Sequence, residues 1–350
     1  MKVLLTIALG SLVSLAKAQE AENAIPVSAM KTALQWMQNA DPAKRAAAYR
    51  TFQLYGDTEQ DRYRKTLNAA QDLHEDRLER LMADERKNPF LELDQIAENL
   101  QAERERIFAL IHTDYHKDPG EVRKLLDEVE SLARINKQAR KLAAAKSEKF
   151  DEEILIIGTS MAEVARELKI IEGEKPGNDA LDPEAALANC YEGSVYLKTK
   201  SNVSRLRKEI DDLAAAKTTN DGFGWANQPQ KEFTNHLNNF RSLFALTPLI
   251  LDEQLSAAAV GHSQDMAVIG FFSHTSPVDG KSSPGDRARL ANFKHRWSGE
   301  NIYMGSSSPV AAYDAWFASD GHRFIMFSRG PDLIGAGPYG KHWTMMTGTK

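Results

Sequence analysis

GFFSHTSPVDG occupies positions 270–280. Two phenylalanines end an apolar run, an imidazole follows at His274, and Pro277, Asp279 and Gly280 make a turn. His274 either closes a helix or serves as one ligand of a site assembled from distant segments. Upstream, Leu255, Ala259, His262 and Met266 recur at helical spacing behind Asp252, a suitable N-cap. Phe233, Leu237, Phe240, Leu243 and Phe244 mark a helix before it. Ser308-Pro309 opens another, with Val310, Tyr313, Trp316 and Phe317 on its apolar face. GENIYMG (299–305), DLIGAGPYG (332–340) and HWTMMTGT (342–349) read as strands ending in glycine turns. Helices packed on both faces of a small sheet follow from that order.

The rest of the chain is different. Between about 24 and 216, charged residues and alanine dominate, and apolar positions recur three or four apart. Val122, Leu125, Val129 and Leu132 form one stripe; Leu206, Ile210 and Leu213 form another. Asp41-Pro42, Asp118-Pro119 and Asp182-Pro183 each place an acid before a proline at a helix start. Asn88-Pro89 breaks a further helix. Helical hairpins or a short coiled coil fit this pattern, and charged runs such as EDRLERLMADERK (75–87) read as solvated faces. His112 and His116 are four apart, without an accompanying carboxylate signature, and read as a surface pair. The segment 217–232, rich in Gly, Asn, Thr and Pro, reads as a linker.

With 350 residues, about two domains are expected. The net charge of -5 argues against a general nucleic-acid binder. Lys2, an apolar run from Val3 to Leu15 and Ala16-Lys17-Ala18 read as a cleaved secretory signal over 1–18. No later stretch reaches membrane-spanning length, so the mature chain is expected to be secreted or periplasmic, without a transmembrane segment. Cys190 is the only cysteine, so no internal disulfide framework exists; it reads as a small buried hydrophobe.

Within the last third, the helix HSQDMAVIGFFSH (262–274), Asp286-Arg287, GENIYMG, AWFASDGHR (315–323), IGAGPYG and a terminal strand with Trp343 come in one order. In that order they resemble the CAP superfamily: cysteine-rich secretory proteins, antigen 5 and pathogenesis-related proteins, in the cysteine-poor bacterial branch. The resemblance implies a C-terminal CAP α-β-α sandwich at 233–350; with the long all-α region that apolar spacing predicts at 19–216, the expected fold class is α+β. The resemblance also implies a cleft lined by two histidines and acidic residues, holding a divalent metal such as zinc in some members. Carried over, the ligands are His274, Glu300 and His322. The place of a second glutamate falls on Ser319, three residues after Trp316, which leaves Ser319, Asp320 or water as the fourth position.

Two histidines and a carboxylate suit Zn2+, and a zinc-bound water near neutrality could serve as a hydrolytic nucleophile. Catalytic roles for His274, Glu300 and His322 stay open on that ground. The bland reading is a mutually hydrogen-bonded set that pins the fold. His262 reads as a core histidine, Arg287 as a structural cation, and Trp297, Trp316 and Trp343 as core. No nucleophile-elbow motif accompanies Ser273, Ser276 or Ser319. The leading expectation is an exported binding module: an unknown protein or envelope ligand on the helical region, and a small molecule, lipid or metal in the cleft. A metal-assisted hydrolase acting on peptide or envelope polymer and a purely structural exported protein are the alternatives.

Overall fold

A computed structural model of the chain describes residues 43–44, 60–115, 118–172, 174 and 181–350. The signal segment 1–18, Asp41-Pro42 and His116 lie outside the described residues. The described helices and strands are α1 (Gln60–Ala83), α2 (Leu93–Ile111), α3 (Pro119–Ala143), α4 (Glu148–Ile171), α5 (Pro183–Ala188), α6 (Tyr191–Gly222), α7 (Gln228–Leu243), β1 (Ile250–Leu251), α8 (Glu253–Ile269), α9 (Pro284–Leu290), β2 (Arg296–Met304), α10 (Pro309–Phe317), α11 (Asp320–Met326), β3 (Leu333–Tyr339) and β4 (His342–Thr349). The fold class is α+β.

The helix starts follow local chemistry. The carboxylate of Asp118 accepts from the N–H groups of Gly120 and Glu121, Asp182 from Glu184, and Asp252 from Leu255, so each satisfies donors that a helix leaves unpaired. Asn88 ends α1 by donating to the carbonyl of Met82 and accepting from the N–H of Phe90. The sequence reading of 217–232 as a linker needs correction in its secondary structure. α6 runs on to Gly222, and α7 starts at Gln228 on an Asn227/Gln230 capping box. Thr218 donates to the carbonyl of Ala214, and Asn220 is buried and bonded to both Leu249 and Leu251. The tertiary bonds of Asn220 hold helical a stretch whose residue types favour loops.

The chain forms two compact units. One comprises the described residues up to 94 and those in 145–202. In it α1 packs on α4, and α4 on α5, with Leu67, Leu78, Ile154 and Ile157 fully buried. Tyr196 donates to Asp151 at 2.9 Å, and Thr199 to Asp94 at 2.6 Å. Cys190 is half-buried rather than buried, and desolvation by burial pushes its thiol pKa up, which favours the thiol over the thiolate.

The other unit comprises 95–144 and 203–350, so most of α2 and all of α3 fold with the C-terminal segment. Its sheet has the order β1-β3-β4-β2, antiparallel except for the β1–β3 pair. Alternation along the strands sorts the two faces. Thr344 meets Ser263 of α8 at 2.9 Å, and Met346 joins Leu255, Ala259 and Leu333 in one core cluster. On the other face Trp343 packs against Phe233 of α7, which also meets Trp316 of α10 edge-on at 5.4 Å. The result is an α-β-α sandwich. Trp316 and Trp343 are core, as their spacing suggests, whereas Trp297 is 39% exposed at the start of edge strand β2.

Two short β1 residues escape sequence detection, because a two-residue strand has no period to read. Close approach of α8 to β3 depends on glycine. A Cβ at Gly337 would lie 2.2 Å from the Ala259 backbone, and one at Gly335 would lie 2.4 Å from Leu255.

The helical arm is tied into this unit by buried guanidinium groups. Arg104 of α2 donates to the carbonyl of Leu243 and pairs with Glu209 at 2.6 Å. Arg323 donates to the carbonyls of Ile111 and Thr113, both at 2.8 Å. The stripe Val122, Leu125, Val129, Leu132 is buried as its spacing predicts.

Candidate functional site

The loop after α8 brings His274 to strand β2. Its Nδ1–H donates to Glu300 Oε1 at 2.8 Å, while Arg287 of α9 donates to Glu300 Oε2 at 2.6 Å. The carboxylate and the guanidinium are both almost fully buried; the imidazole is half-exposed. Arg287 also donates to the carbonyls of His274 and Lys281. His262, buried on α8, donates from Nε2 to the carbonyl of Ser273 at 3.0 Å. Desolvation by burial, reinforced by the Arg287 charge, pushes the pKa of His262 down and favours the neutral ring. Arg287, Glu300 and His262 therefore lock the 273–282 loop in place.

His322 sits on α11, with Nδ1 against Ser319 Oγ at 2.8 Å and its carbonyl accepting from Asn301. Asn301 follows Glu300 directly, so the two side chains leave β2 on opposite faces. Ser319 is the N-cap residue of α11, though its hydroxyl makes no cap bond there. Asp320 pairs with Arg323 at 2.7 Å and serves the arm attachment.

The structure thus joins His274 to Glu300 and sets the His322 ring beside Ser319. Both oxygens of Glu300 already accept bonds, and His274 has only Nε2 left to offer. Among the described residues no three His, Cys, Asp or Glu side chains gather as a metal would require. With both Glu300 oxygens bonded to Arg287 and His274, no hydrolytic step is derived through a zinc centre.

A second feature was not foreseen. A groove with a volume of about 580 Å³ runs beside His322. Phe272, Ile302, Met304, Trp316, Ser319 and His322 form its C-terminal side, and Pro119, Val122, Arg123 and Leu126 of α3 form the facing wall. The stripe on α3 announces a buried face, but nothing local says what it faces. Phe272 and Met304 are 46% and 53% exposed, so an apolar mouth opens to solvent.

Residues 234–340 match the CAP family, described as the cysteine-rich secretory protein family. The C-terminal segment is a CAP domain. Its relatives include "Uncharacterized protein YkwD" of Bacillus subtilis, 35% identical over 117 residues, and "Uncharacterized membrane protein YlbC" of the same organism, 30% identical over 115 residues. The match covers 33% of this chain in both, and 45% and 33% of the respective relatives. An extracellular SCP-domain protein of Bacillus anthracis is 33% identical, over 35% of this chain and 40% of that one, with a TM-score of 0.34. A cysteine-rich secretory protein of Staphylococcus aureus is 14% identical, over 35% and 38%, with a TM-score of 0.30. The α3 wall of the groove lies outside the matched residues, so the CAP domain here is completed by sequence that the family match does not include.

Proposed function

We propose that this chain is an exported cell-envelope or extracellular binding module, whose CAP domain and α2–α3 arm together hold a ligand in the groove beside His322. The observation that carries this reading is the two-sided lining of the groove: Leu126 and Arg123 of α3 share its open volume with Phe272, Met304 and His322 of the C-terminal segment. Preformed, mainly apolar concavities with a few polar groups are the usual form of small-molecule sites. Cleavage of 1–18 would release the chain outside the cytoplasm, and no helix among the described residues is long and apolar enough to cross a membrane. The organisation proposed is signal 1–18, helical region 19–216, junction 217–232 and CAP domain 233–350, with the arm contributing to the CAP site.

A hydrolase reading has less support, because Glu300 is committed to Arg287 and His274. Fluorescence of the apolar dye Nile red tests the binding reading. The full chain should enhance it saturably. Leu126→Glu, which places a carboxylate on the groove wall, should abolish the enhancement while the melting temperature stays close to wild type. Absence of any enhancement by the wild-type chain would end the proposal.

A further inference from the structure

We infer that a second groove, sharing no residue with the one beside His322, binds a neutral saccharide. It has a volume of about 630 Å³ and lies between the end of α6, α7 and the start of α10. None of its lining residues is buried, so the whole wall meets solvent. Part of that wall comes from 217–232, the stretch whose composition reads as a linker and which the fold holds as a helix end and a helix start. Lys217, Asp221, Gln228 and Lys231 there precede the residues 234–340 that match the CAP family.

Two properties select the ligand class. First, the charges cancel: Lys217 and Lys231 stand against Asp221 and Glu232. Each is already engaged. Lys217 donates to the carboxylate of Asp221, Lys231 to the carbonyl of Asp221 at 2.8 Å, and Glu232 accepts from Gln228 at 2.9 Å. Burial pushes the pKa of His236 down, against the pull of Asp314, and favours the neutral ring. An ionic ligand gains no net attraction from such a wall. Second, the groups left unspent both donate and accept. Among the described residues, the carboxamide of Asn239 and the ring nitrogens of His236 make no hydrogen bond. Ring contacts to Tyr313 at 4.6 Å and Phe240 at 5.2 Å hold the imidazole in place. A carboxamide and a neutral imidazole each offer a donor and an acceptor, the complement of a sugar hydroxyl, which is also both. Pro309 and Val310 add a small apolar strip, with Val310 46% exposed, for the C–H face of a pyranose ring. A hydrocarbon ligand would instead strip water from Asn239 and His236 without replacing its hydrogen bonds.

Saturation-transfer NMR of the full chain with maltotetraose, cellotetraose and tetra-N-acetylchitotetraose tests the inference, with a hyaluronan tetrasaccharide as the anionic comparison. At least one neutral tetrasaccharide should bind with a Kd on the order of 1 mM. Its affinity should stay constant as salt rises from about 50 to 500 mM, because no net charge attracts it. Asn239→Ala and Val310→Asp should each weaken it about fivefold. Both side chains are exposed, so the melting temperatures should stay within about a degree of wild type. Leu126→Glu, in the other groove, should leave saccharide binding intact, and the saccharide should not displace Nile red; the two proposals therefore stand or fall separately. Absence of signal from all three neutral tetrasaccharides would overturn the inference. So would binding of the hyaluronan fragment alone, or neutral binding that survives Asn239→Ala and Val310→Asp combined.

Discussion

The guanidinium of Arg323 donates from Nε to the carbonyl of Ile111 at 2.8 Å, across 212 positions of the chain. The same buried group also bonds the carbonyls of Thr113 and Phe317 and the carboxylate of Asp320. No shorter cation spans four such acceptors in one plane. Arg323→Lys should therefore lower stability by about 3 kcal/mol, read as a shift in urea midpoint. A fragment limited to 231–350 should melt well below the full chain, since it leaves Arg323 without Ile111 and Thr113. Equal stability of fragment and full chain would contradict the arm attachment.

Glu300 separates scaffolding from metal binding. Glu300→Gln strips the charge facing buried Arg287 and should cost about 3 kcal/mol. His274→Ala removes only a half-exposed partner and should cost about 1 kcal/mol or less. Added zinc should give wild type and His274→Ala the same thermal shift. A zinc-dependent stabilisation that vanishes with His274→Ala would restore the metal reading.

His74 supplies a pH dependence in the other unit. Both ring nitrogens lack partners among the described residues in a buried setting, and desolvation, with the Arg77 charge second, pushes its pKa from 6.5 down to about 4. The unfolded chain therefore binds this proton first as pH falls. The contribution is complete above about pH 6.5 and is lost on the way down to about pH 4. Its size is about 3 kcal/mol. Carboxylates add their own acid dependence, so the informative quantity is the difference between wild type and His74→Leu. Melting curves of the two should diverge between pH 7 and 4, with the variant the less sensitive; parallel curves would refute a buried neutral imidazole.

Gly337 tests the α8–β3 contact. An added methyl would enter the Ala259 backbone, which has no rotamer to yield. Gly337→Ala should cost about 2 kcal/mol or more, whereas Gly330→Ala, with open space at its Cβ position, should leave the melting temperature within about a degree of wild type.

Several caps and buried stripes were legible in the residues, because each depends on neighbours within a turn or a pleat, whereas β1 and the run of α6 to Gly222 were not. Asp252 before Leu255 and the run Val122–Leu132 needed nothing distant. The destinations of Glu300 and His322 were not legible in that way. Resemblance to a family set them together; only the tertiary structure shows Arg287 and His274 sharing the carboxylate and Asn301 holding the His322 carbonyl. Nor could any local pattern show that α3 faces Trp316, or that Arg323 holds Ile111. A periodic stripe specifies that a surface is buried, while the surface that buries it is chosen by packing among segments far apart along the chain.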